Sequence, residues 1–218
     1  MTIQYSEYTP RFSIALISAT ALAYEILLAR LFSIIQWHHF AYMIISLALL
    51  GYGISGSFLS LFAKRLLNHY AATFITNIIL FGLSLLLCFL IAQHIPFNAE
   101  EILWDRYQLA WLFAIYLMLM LPFFFVANVI GLTMMAMGKK ISQIYAADMI
   151  GAGIGSAMVI ILLFYLMPNN LLQILSCVAI AACLLAWLEL KLPWTKRTVA
   201  IIVVAVFIPF MLPGHWLE

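Results

Sequence analysis

Two carboxylic acids and one arginine stand in stretches of this chain that hold almost no other charge. Glu25 and Arg30 fall inside an apolar run near residues 12–34, and Asp148 falls inside another near 143–167. An ionised side chain at bilayer depth costs at least about 2.5–3.5 kcal/mol on insertion scales, so each needs a partner, a cavity or a shallow position. Glu25 lies about 13 residues into its run, which is about 20 Å along a helix rising 1.5 Å per residue and therefore past the midplane. Arg30 sits nearer the outer face and about 140° around the helix from Glu25, so the two do not form an intrahelical pair. Each must look to other helices. Glu25, with Tyr24 beside it, reads either as a hydrogen-bonded structural carboxyl or as a ligand or proton site facing the bundle interior. Arg30 reads as a clamp reaching for the outer interface. Asp148 reads either as the cap of a helix starting at Met149 or as an inward-facing polar group beside Asn128 or Tyr145.

Other chemistry-bearing residues carry weaker signals. His38 and His39 follow Trp37 in the first outer loop; adjacent histidines point to different faces and rarely share one metal, so no metal site is expected. A polar site in the outer loop fits them better, either hydrogen bonding at the interface or forming a lip over the Glu25 region. Cys88, Cys177 and Cys183 lie in apolar stretches without the paired spacing of a zinc or redox motif. No cofactor is expected.

The elements that position these residues follow from composition. Of 218 residues, 67% are hydrophobic and 8% charged, against roughly 25% charged in a soluble domain. A soluble fold of this size cannot hide so much apolar surface. The fold class is an all-α integral membrane bundle of six to seven transmembrane helices, forming a single polytopic domain. Spans are expected near 12–34, 39–63, 71–93, 107–137, 143–167, 171–190 and 198–213, each about the 20 residues a bilayer demands. The fourth exceeds that thickness and holds Pro122, so it is expected to be tilted, kinked or interrupted. The seventh is short and contains Pro209. Without a small-residue cleavage site after it, the first run reads as a retained span rather than a removed signal peptide.

Arg11, Lys64, Arg65, Lys139, Lys140, Lys191, Lys196 and Arg197 all fall on one side if every run spans, while Arg106 falls opposite beside Glu100, Glu101 and Asp105. Because cytoplasmic loops retain Lys and Arg, the N-terminus is placed in the cytoplasm of what reads as a bacterial inner membrane. Trp37, Trp104, Trp194 and Trp216 sit near span ends, as interfacial anchors do.

Two glycine motifs imitate nucleotide loops. Gly51, Gly53 and Gly56 spell G-x-G-x-x-G, and Asp148 precedes Gly151, Gly153 and Gly155. Such loops need a strand, a tight turn and an exposed helix N-terminus. Here both lie in apolar stretches, where small residues let helix backbones approach; Gly51, Gly53, Gly56, Gly151 and Gly155 are expected to serve helix packing.

The stretch from Ala23, Tyr24 and Glu25 to Arg30 and Leu31, followed by Trp37, His38, His39, Phe40 and the segment from Gly51, resembles the first two helices of the membrane-embedded spermidine synthase-like family. Leu121, Pro122, Phe123 and Phe124, then Tyr145, Ala146, Ala147, Asp148 and Gly151, resemble a later block of it. In that family a membrane module is commonly joined to a soluble aminopropyltransferase-like domain, which binds an S-adenosylmethionine-derived donor and a polyamine. The catalytic residues of that domain have no counterpart in these residues. The resemblance therefore implies a non-catalytic membrane module that anchors or assembles with a partner and holds a small polar ligand near Tyr24, Glu25, Arg30 and Asp148. Its partners would be the lipid bilayer and either another membrane protein or a soluble aminopropyltransferase-like domain; no nucleic acid is expected. With seven full spans, anything following the last would emerge on the outer side. The alternatives are a transporter-like helical half and a small subunit of a larger membrane complex. Against the first, the loop with Lys64 and Arg65 lacks the acidic and glycine-basic pattern of the major facilitator loop.

Overall fold

A computed structural model describes residues 9–35, 39–97, 101 and 104–191 of the chain. Across the described residues it is an all-α integral membrane protein, with six helices long and apolar enough to cross a bilayer. They are α1 (Arg11–Ile35), α2 (His39–Asn68), α3 (Tyr70–Gln93), α4 (Arg106–Ala136), α5 (Ile141–Tyr165) and α6 (Pro168–Glu189). Lipid offers no hydrogen bonds, so each apolar run closes its backbone bonds within itself as a helix. The run at 198–213, with Trp37, Trp194 and Trp216, lies outside the described residues.

Local signals set several helix ends. The Asp105 side chain accepts from the Tyr107 N–H at 3.0 Å and caps α4, satisfying one of the orphan donors of a helix start. Pro168 opens α6, where its missing N–H is of no consequence. Of the expectations for the fourth run, interruption alone is corrected: Pro122 is buried within α4, which runs as one helix from Arg106 to Ala136. Neighbouring helices and local adjustments sustain proline inside membrane helices in this way.

The start of α1 is capped from the far end of the described chain. The Glu189 carboxylate, at the last residue of α6, accepts from the backbone N–H groups of Phe12 at 2.9 Å and Ser13 at 3.0 Å, and from the Ser13 hydroxyl. A carboxylate against a helix N-terminus satisfies orphan donors and complements the dipole. Arg11 adds a bond to Gln143 in α5. The starts of α1 and α5 and the end of α6 thus meet at one end of the bundle. That end also carries Lys64 and Arg65 on the last turns of α2, Lys139 and Lys140 between α4 and α5, and Lys191 after α6. Arg106, Asp105 and Trp104 mark the opposite end.

Packing centres on α1, which touches α2, α4, α5 and α6. Its most extensive contact is with α5, which runs in the same direction. A methyl on Gly151 would fall on the Ala15 backbone carbonyl, and one on Gly155 on that of Ala19. The two glycines and two alanines, each spaced i, i+4, form a small-residue seam that lets the backbones touch. The parallel pair α2 and α4 uses the same device. A side chain on Gly51 would meet Phe123 Cβ at 2.7 Å, and one on Gly131 would meet Leu59 Cδ1 at 2.6 Å. Between α3 and α6, Gly82 faces Ile180, and the Ser176 hydroxyl donates to the Gly82 carbonyl at 2.6 Å.

Gly155→Leu should therefore force α1 and α5 apart and lower stability by about 3 kcal/mol or more, at the upper end of overpacking effects because backbone blocks relaxation. Gly153→Leu meets only open space and should leave the melting temperature in detergent within error. Equal losses in the two variants would refute the seam.

Candidate functional site

A cleft of about 520 Å³ opens among α1, α2, α4 and α5. Ser18, Leu22 and Glu25 line it from α1, and Tyr52, Ser55, Gly56 and Leu59 from α2. Ala127, Ile130 and Gly131 line it from α4, and Asp148, Met149 and Ala152 from α5. On α1, α2 and α4 these residues recur at i, i+3, i+4 or i+7, and on α5 Ala152 lies one turn beyond the adjacent Asp148 and Met149, which places each set on one face. The cleft exists because α2 packs on α4 and α5 packs on α1, while α2 and α5 have no substantial contact with each other.

Depth can be read from helix position. Ser18 and Asp148 each lie about seven residues into helices that start at the basic end, so both sit about 10 Å from it. Glu25 lies about 20 Å in. The two acidic residues are therefore about 10 Å apart along the axis of one cleft. Tyr52, on the descending α2, sits near the level of Glu25 and lines the same cleft.

The polar groups are satisfied unequally. Ser18 Oγ donates to Asp148 Oδ1 at 2.5 Å, bridging α1 and α5. Ser55 Oγ donates to Asn128 Oδ1 at 2.8 Å, both residues being buried, which joins α2 to α4 at the cleft wall. Glu25 is half-buried and makes no side-chain hydrogen bond among the described residues. Among the described residues no lysine, arginine or histidine lines the cleft, and the groups that do line it are acceptor-rich and acidic. Among the described residues no group of three or more His, Cys, Asp or Glu side chains could hold a metal ion.

Of the residues singled out in the sequence, Glu25 and Asp148 come together in the cleft. Asp148 does not cap a helix at Met149: α5 begins at Ile141, and the aspartate stands two turns inside it. Its partner is Ser18 rather than Asn128, which bonds Ser55, or Tyr145, which is exposed. Tyr24 turns away from the cleft, because successive helical residues diverge by about 100°. It is fully buried against the Phe123 ring, with centroids 5.6 Å apart, and its hydroxyl has no hydrogen-bond partner among the described residues. Arg30 is exposed and makes no ion pair with Glu25; its carbonyl accepts from Ser33 Oγ at 2.7 Å. His38 lies outside the described residues, as does the side chain of His39, where α2 begins. Gly51, Gly151 and Gly155 sit at helix contacts, but a methyl on Gly53 or Gly56 would meet nothing within 4 Å. Those two therefore do not mark packing; Gly56 lines the cleft instead. Ser18, Tyr52 and Ser55 are site residues that the sequence analysis missed. Stepping from Glu25 by i−7 reaches Ser18, a signal that was present in the sequence.

The orphaned hydroxyl of Tyr24 makes its own prediction. An unmet buried polar group costs about 1–3 kcal/mol, so Tyr24→Phe should leave the melting temperature unchanged or raise it. A fall of more than about 1 kcal/mol would reveal a partner for that hydroxyl. Neither a family model nor a curated protein nor a solved structure matches this chain.

Proposed function

We propose that this chain is a non-catalytic membrane module whose cleft holds a small organic cation, and that it anchors or assembles with a partner. The observation that carries the reading is the convergence of Glu25 and Asp148, from α1 and α5, on one cleft that no basic side chain lines among the described residues. Intramembrane acids facing a cavity mark ligand and ion pathways, and a cation is the ligand that neutralises both. Spacing of about 10 Å along the axis, with Leu22, Leu59 and Ala152 between, suits a linear cation with charged ends and an aliphatic middle. Polyamines have that form, and the resemblance to spermidine synthase-like proteins favours them too. The cluster of Arg11, Lys64, Arg65, Lys139, Lys140 and Lys191 at one end favours a cytoplasmic N-terminus, and a bacterial inner membrane is the proposed location.

One observation favours a second reading, a transporter-like half. The cleft lies between two tightly packed parallel pairs, α1 with α5 and α2 with α4, and such pairs can rock about a shared site.

Spermidine binding to the purified protein in nanodiscs tests the first reading. Glu25→Gln and Asp148→Asn should each weaken binding about tenfold or more, since each removes a charge partner worth about 1.4 kcal/mol or more. Wild-type affinity in both variants would contradict it. Uptake of labelled spermidine by proteoliposomes, abolished by Glu25→Gln, would decide for transport over anchoring.

A further inference from the structure

Glycine inside a helix is disfavoured relative to alanine, so each helical glycine invites a reason. Gly51, Gly131, Gly151 and Gly155 have one, since a side chain there would strike a neighbouring helix. Gly53 and Gly56 do not: a methyl at either would meet nothing within 4 Å. They differ in where they face. Gly56 lines the cleft and Gly53 does not. On α2, Gly56 stands about 18 Å from the basic end, between the levels of Asp148 and Glu25, and close to the level of Ala152 across the cleft on α5. The small residues thus fall where the aliphatic middle of a two-ended ligand would run.

We propose that Gly56 is the specificity-determining residue of the cleft, its missing side chain keeping open the passage between the Asp148 end and the Glu25 end so that one ligand occupies both. The inference rests on the cation-binding reading above and narrows it to ligands carrying charge at both ends. A ligand held at two ends gains from effective concentration, because the second contact is intramolecular once the first is made. Blocking the passage removes that gain and leaves each end able to hold a single ammonium. Gly56 therefore discriminates spermidine from a short monoamine such as butylamine, although it contributes no polar atom.

The test measures both amines by calorimetry on the full chain in nanodiscs, for the wild type, Gly56→Ala, Gly56→Leu and Gly53→Leu. Thermal melting of each variant accompanies the binding. Gly56→Leu should weaken spermidine by about tenfold or more while changing butylamine by no more than about twofold. Gly56→Ala should fall between, with a melting temperature equal to or above that of the wild type, since alanine is the better helix former. Gly53→Leu should leave both affinities unchanged. The proposal is overturned if Gly56→Leu binds spermidine like the wild type, if it loses both amines equally, or if Gly53→Leu reproduces its effect. Should Gly56→Leu fail to fold, a Gly56→Ala variant that melts normally and binds spermidine undiminished overturns it as well. If the wild type binds neither amine, the cation-binding reading itself falls and takes this one with it. Loss of spermidine in Glu25→Gln with none in the Gly56 variants overturns this inference alone.

Discussion

The contact between α1 and α5 governs the rest of the structure. Without a hydrophobic drive between helices in lipid, association depends on close packing and polar bonds, and here Gly151 and Gly155 admit the backbone of α1 at Ala15 and Ala19. That closeness brings Asp148 within reach of Ser18 and turns it toward the cleft that Glu25 also lines. It also leaves α5 packed mainly on α1. The space that α5 does not fill, on the side of α2, is the cleft. A seam of small residues thus decides both which polar groups meet and where the cavity opens.

Polar contacts at the basic end fix the same arrangement from below. Glu189 holds the first turn of α1, and Arg11 reaches Gln143 of α5. The chain therefore closes on itself across α1, α5 and α6 at the end where lipid headgroups and water can solvate the charges. Deeper in, Ser18 is matched to Asp148 and Ser55 to Asn128, as a low-dielectric surrounding favours, while the buried Tyr24 hydroxyl has no partner among the described residues. Glu25 faces the cleft without such a match among the described residues, and that turns a packing defect into a candidate site.

Much of the fold was legible in the sequence, because the constraint behind it is local. A run of apolar residues in lipid must become a helix, so α1 to α6 could be placed from composition alone. Glu25 and Asp148 were legible for the same reason: an acid in such a run stands out. Their meeting was not. Nothing local shows that α5 lies along α1 in parallel, and Asp148 looked shallow until α5 proved to begin at Ile141. Pro122 does not interrupt α4, because packed neighbours tolerate what isolated-helix rules forbid. The glycines of α2 look alike in sequence, yet Gly51 packs on Phe123 while Gly56 faces the cleft. That difference is a property of the helix pair, as is the pairing of Glu189 with a helix start at the other end of the chain.

On the cation-binding reading, the cleft presents an acidic interior to solutes within the membrane. Charge-selective thiol labelling tests it most directly, using Gly56→Cys in a variant whose Cys88, Cys177 and Cys183 are replaced by serine. A positively charged methanethiosulfonate should react about tenfold or more faster than a negatively charged one of similar size, as field focusing in a charged cleft requires. Glu25→Gln with Asp148→Asn should erase that preference. Equal rates before the acids are removed, or faster reaction of the anionic reagent, would contradict the account.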